Sequence, residues 1–173
     1  MPKTFPLAAA KLKKLLNLTP AAEGVYIKRV YKSASAPGER PSMTMAYALA
    51  AADAPSRLHR LDCDELWHFY AGQPLSVYLL GPTGFKRELL GPAPEKGQKP
   101  VIVIPCGVIF GALAQEGEWC LFGCTCSPGF SEEGCELIPA EHPALHAAAP
   151  QSDLIAALAG NASHTVPNRR KLT

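Results

Sequence analysis

The chain has 173 residues, of which 47% are hydrophobic and 18% charged, with a formal net charge of +2. That length forms one domain, and a fold of this size removes about 70% of the unfolded chain's surface from water, so no metal or disulfide staple is needed to hold it. The near-neutral balance excludes a disordered polyelectrolyte and an extended cationic nucleic-acid binder, and no apolar run approaches the roughly 18 residues of a membrane span.

The elements follow in chain order. Residues 6–17 carry Leu7, Leu12, Leu15 and Leu16 at helical spacing with Lys11, Lys13 and Lys14 between them, and Thr19-Pro20 stops that helix. From there to about residue 138 the pattern changes to short apolar or alternating runs punctuated by Gly, Pro, Asp and Ser. The runs are 25–31, 44–50, 57–61, 65–70, 75–80, 85–90, 101–104, 109–114 and 119–125, which predicts nine strands. Turn chemistry separates them at Ala36-Pro37-Gly38, Ala71-Gly72-Gln73-Pro74 and the segment 91–97. Ser152-Asp153 ahead of an apolar stripe predicts a closing helix within a C-terminal segment of about 150–173. The reading is a single all-β domain over 1–173, core about 15–138, in which two strand-rich halves meet near 91–100 as in a jelly roll of two Greek keys.

Six cysteines, at 63, 106, 120, 124, 126 and 135, follow an N-terminal segment whose apolar residues are interrupted by Lys11, Lys13 and Lys14, so an export signal is not expected. Free thiols in a cytoplasmic protein are therefore expected, with 120, 124 and 126 on one strand face as core residues.

The densest chemistry lies at 58–72. Strand parity places Arg57, His59 and Leu61 on one face and Glu65, Trp67 and Phe69 on one face of the next strand. His59 and Glu65 are then expected to look at each other across a hairpin whose corner is Asp62-Cys63-Asp64, both pointing into a barrel. Parity turns His68 the other way.

These residues resemble the cupin superfamily, whose first motif reads G-x5-H-x-H-x3,4-E-x6-G. His59 matches the first histidine, Glu65 the glutamate and Gly72 the closing glycine, while Leu61 stands at the second histidine. In the second motif, P-x-G-x2-H, Pro105-Cys106-Gly107 supplies the turn and Phe110 stands at the histidine. More narrowly, the stretch His59 to Leu75 is similar to the H-R-L-x-x-D-E-x-W-H-x-x-x-G-x-P-L hallmark of the small RmlC-like cupins of the Cupin 5 group. Pro20 to Tyr26 and Leu121 to Phe130 resemble that group's opening and closing blocks. The resemblance implies a double-stranded β-helix with a short helix at each end, and a homodimer.

Function follows from the inward cluster. A first-row metal site wants three or four protein ligands, and only His59 and Glu65 remain of the cupin set, so a divalent metal is disfavoured and no cofactor is expected. A nucleotide or sugar-nucleotide ligand would be held by aromatic stacking and cationic side chains, drawing on Lys28, Tyr47, Arg57, His59, Glu65, Trp67 and Phe69. An inward arginine, histidine and glutamate would be costly without water or a ligand to satisfy them. Likeness to RmlC-type epimerases implies the alternative, proton abstraction by His59 beside Glu65 with a tyrosine as acid; Tyr47, Tyr70 and Tyr78 are available, Tyr78 being the one assigned. Neither nucleic acid nor membrane is expected as a partner.

Overall fold

A computed structural model describes residues 9–81, 84–115, 118–147 and 152–159. The expected N-terminal helix is α1 (Ala9–Leu15), whose alanines, leucines and lysines all favour helix; residues 6–8 of that expectation lie outside the described residues. Asn17 ends the helix in the left-handed region at φ 51°, and Lys13 sets its ammonium 3.5 Å from the centre of the Tyr26 ring.

All nine expected strands are present. They are β2 (Tyr26–Lys32), β3 (Thr44–Ala51), β4 (Ser56–Leu61), β5 (Asp64–Gly72), β6 (Leu75–Gly81), β7 (Gly84–Leu90), β8 (Val101–Ile104), β9 (Ile109–Leu113) and β10 (Trp119–Ser127). Two short strands escaped the sequence pattern, β1 (Thr19–Pro20) and β11 (Cys135–Leu137), because two or three residues cannot display an alternation. The strands form two antiparallel sheets, β1-β2-β3-β10-β5-β8 and β11-β4-β9-β6-β7. Helices α2 (Pro143–Ala147) and α3 (Ser152–Leu158) follow; α2 was not foreseen, and residues 160–173 of the expected C-terminal segment lie outside the described residues.

Apolar alternation assigns each side chain to one of two cores. Between the sheets, Trp67, Leu75, Val77, Phe110, Ala112 and Phe122 pack with the inward cysteines 120, 124 and 126. On the outer face of the smaller sheet, Leu58, Tyr78, Ile109 and Leu113 meet Leu154 and Leu158 of α3. Strand β9 is buried on both faces for this reason, and it reads as a continuous apolar run rather than an alternating one.

The corner after β4 positions the site. Strands β4 and β5 belong to different sheets, so His59 and Glu65 do not face each other across a hairpin ladder as expected; the two strands approach the interior from opposite sides. Arg40 clamps the corner with a fork to Asp62 (2.7 and 2.8 Å) and a third bond from Nε to the Gly129 carbonyl, and its guanidinium holds the Asp62 carboxyl below its ordinary pKa. Asp64 accepts the Cys106 amide at 2.9 Å, and the Leu61 carbonyl accepts the Gly107 amide at 2.8 Å, where φ of +78° suits glycine.

Candidate functional site

A cavity of about 490 Å³ lies between the sheets toward the β1-β2 end. Most of its wall is built by inward residues of five strands, Ile27 and Arg29 from β2, Ala46 from β3, His59 and Leu61 from β4, Glu65 and Trp67 from β5, and Phe122, Cys124 and Cys126 from β10, with Pro20 of β1 and Leu137 of β11 at its margin. Glu23 enters from the turn before β2, and Phe130, Glu132 and Cys135 from the segment after β10. Most of the surface is apolar, and three carboxylates, Glu23, Glu65 and Glu132, share it with one arginine.

His59 is 4% exposed. Its Nδ1 lies 2.6 Å from the Arg57 carbonyl, which can only accept, so Nδ1 carries the proton and Nε2 the lone pair. The ring rests on Phe110, with centroids 4.1 Å apart. Burial lowers its pKa, opposed by the Arg57 carbonyl and the charge of Glu23, so the imidazole is neutral at physiological pH. A backbone carbonyl and a phenyl ring, rather than a carboxylate, hold the imidazole.

Glu65 is 6% exposed, and burial raises its carboxyl from 4.5 to about 7, against nearby donors on Trp67, Cys126 and Cys124. Cys126 donates its thiol to Oε1 at 3.6 Å, but Oε2 has no partner. Trp67 is 2% exposed, and its indole Nε1 is also without a partner: the N–H lies close enough to favour the carboxylate yet outside hydrogen-bonding geometry. Rings cover the indole too, Phe122 at 4.5 Å and Phe110 at 5.7 Å between centroids. Each thiol of this wall is held above its ordinary pKa by burial, which keeps it protonated and inert.

Of the expected site residues, His59, Glu65 and Trp67 line the cavity and five do not. Lys28 and Tyr47 pair across β2 and β3 on the outer face, where Tyr47 packs edge-on against Tyr70 at 6.0 Å; the inward residues of β2 have odd numbers, so Arg29 takes the place foreseen for Lys28. Arg57 is displaced by a bulge: the β4 register shifts between Ser56 and His59, putting both of those on the wall and sending Arg57 toward the Ala22 carbonyl at 3.4 Å. Phe69 packs in the inner core outside the cavity. Tyr78 lies in the outer core against the helical segment, so it cannot serve as the acid. His68 points outward as parity requires, its Nε2 3.3 Å from the Thr125 hydroxyl.

Sequence reasoning missed Glu23, which the Pro20 to Tyr26 block signals. There Gly24, at φ +96°, passes so near the Pro55 carbonyl that a Cβ would lie 2.4 Å from it, and the turn thereby delivers Glu23 to the cavity. At the four cupin metal positions stand His59, Leu61, Glu65 and Phe110, and two of these have no donor atom. Among the described residues no group of three or more His, Cys, Asp or Glu side chains converges as a metal requires. The residues present do not fit the metal of the cupin pattern.

A jelly roll of two antiparallel sheets with a histidine and a glutamate facing its interior is a cupin-type barrel. The chain belongs to the Cupin superfamily (DUF985), which it matches over residues 10–138. It is similar to protein SO0799 from Shewanella oneidensis, at 32% identity over 94% of this chain and 99% of that one, with a TM-score of 0.79. A hypothetical protein from Leishmania major is 28% identical over 83% of this chain and 99% of that one, with a TM-score of 0.71. Oxalate decarboxylase from Bacillus subtilis shares the fold at 16% identity over 72% of this chain and 31% of that one, with a TM-score of 0.53. No curated protein matches the chain.

Proposed function

We propose that this cupin binds a small, largely uncharged ring compound in its barrel: a nucleoside, or the nucleoside end of a nucleotide or sugar nucleotide. One observation carries the reading. Glu65 Oε2 and Trp67 Nε1 are buried and unpartnered on the wall of an apolar cavity, and leaving such groups unmade costs about 1–3 kcal/mol each, which a ligand would recover. Three wall carboxylates against one arginine disfavour a diphosphate inside, and exposed Arg29 is the cation available to a phosphate outside. Nothing in the reading calls on a metal, since Leu61 and Phe110 cannot bind one.

Thermal-shift measurements against nucleosides, nucleoside diphosphates and nucleotide sugars test it. A ligand at 100 times its Kd adds about 2.7 kcal/mol of stability. A melting temperature unmoved across that panel would overturn the proposal.

A second reading rests on the same two side chains. A neutral imidazole with its Nε2 lone pair free and a carboxyl titrating near 7 are suited to opposite halves of a proton transfer, His59 as base and Glu65 as acid. Such a pair would exchange a carbon-bound proton beside a ligand carbonyl. Solvent deuterium entering a keto-sugar nucleotide, lost in His59→Gln, supports catalysis; no incorporation leaves binding as the whole function.

A further inference from the structure

We propose that the deep wall of the cavity recognises the amide edge of a ring, an N–H beside a C=O, so that a nucleoside ligand enters base first. This rests on the binding role proposed above and names the group that reaches Glu65 and Trp67.

The two unpartnered atoms are one acceptor and one donor. They belong to residues two apart on β5, and therefore on the same face, and both residues line the cavity. Glu65 Oε1 already takes the Cys126 thiol, which leaves Oε2 as the carboxylate oxygen without a partner. The indole cannot serve as a stacking platform for a base, because Phe122 and Phe110 already pack on it; what it offers is the N–H. A ring amide satisfies both at once, its N–H given to Glu65 and its carbonyl accepting from Trp67.

A sugar fits this wall less well. Every hydroxyl of a pentose or hexose needs a partner, and much of the cavity surface is Phe122, Val25, Ala46 and thiols that burial keeps protonated. A heterocycle presents one polar edge between apolar faces, which matches a donor and an acceptor two residues apart on one strand face and leaves the other polar groups of the wall to the rest of the ligand. Its sugar would then lie toward Arg29 and Glu132, both exposed on the rim.

Calorimetric titration of the unaltered protein with uridine, N3-methyluridine, cytidine and a methyl glucoside tests this. Uridine carries the N–H between carbonyls and methylation removes it, whereas cytidine turns N3 into an acceptor yet keeps a donor beside it at its 4-amino group. Uridine is expected to bind at least tenfold tighter than N3-methyluridine and the glucoside, a difference of about 1.4 kcal/mol, while cytidine, with its donor beside an acceptor, keeps most of that affinity. Trp67→Phe, which removes the donor to the ring carbonyl, is expected to weaken uridine by a similar factor. Equal binding of uridine and its methylated form, or preference for the glucoside, overturns the amide-edge assignment and leaves the binding role standing. Absence of binding by all four overturns both. Because the ligand series uses the unaltered chain, the test holds even where Trp67→Phe does not fold.

Discussion

The phenyl ring of Phe110 lies 4.1 Å from the imidazole of His59, tilted by 51°, at the position where the cupin pattern has a metal-binding histidine. A hydrocarbon thus packs against the histidine where a third ligand would stand, and Leu61, on the cavity wall, removes the fourth. Putting histidines at both places should complete a donor set of three imidazoles and a carboxylate. The Phe110→His, Leu61→His double variant is expected to copurify with, or titrate to, about one equivalent of a first-row divalent metal, whereas the unaltered chain takes far less. Elemental analysis after dialysis decides it, and equal metal content in the two proteins would refute the argument.

The buried carboxyl makes stability depend on pH. Glu65 titrates near 7 in the folded chain and near 4.5 when solvated, so between those values the unfolded chain loses a proton that the folded chain keeps. Stability from this group therefore falls as pH rises from about 4.5 to about 7, by at most about 3 kcal/mol, and is flat above. His59 acts in the opposite sense: its lowered pKa means that the unfolded chain protonates first, so its contribution is lost as pH falls below about 6.5. Glu65→Gln separates the two. Relative to the unaltered protein it should gain more stability at pH 8 than at pH 5, read from urea midpoints; an equal change at both would show that Glu65 does not titrate as buried.

Much of the barrel was legible because strand alternation survives wherever a strand has one face on the inner core and the other turned outward, as in β5 and β8. The corner Asp62-Cys63-Asp64 and the inward His59, Glu65 and Trp67 were legible for the same reason. Parity failed at β4, where a bulge inserts one residue and rotates Arg57 out of the cavity; nothing local in Ser56 to His59 announces it. It failed at Lys28 and Tyr47 because chemistry was favoured over alternation. Tyr78 misled differently: its face is buried, but under α3 rather than inside the barrel, and a sequence pattern cannot tell which layer covers a strand.

That placement is testable. Tyr78→Phe should leave ligand-induced thermal stabilisation unchanged, because the hydroxyl is walled off from the cavity by the sheet itself. Leu158→Ala, in the same outer core and fully buried, should destabilise by about 2–5 kcal/mol while also sparing ligand affinity. Loss of binding in Tyr78→Phe without loss of stability would return the tyrosine to the site.

Homodimer formation, the expected assembly, has a candidate surface at the edge of the larger sheet. Among the described residues strand β8 pairs with β5 alone, which leaves backbone donors and acceptors of its other edge unpaired there, and Val103 and Val101 are 57% and 42% exposed beside it. An edge that is both short of partners and apolar is suited to antiparallel pairing with the same strand of a second copy. Light scattering at micromolar concentration should give about twice the 18.4 kDa chain mass. Val101→Glu with Val103→Glu would bring like charges together across the two-fold axis and should yield monomer with unchanged secondary structure. A monomeric parent protein would refute the dimer, and a dimeric double variant would place its interface elsewhere.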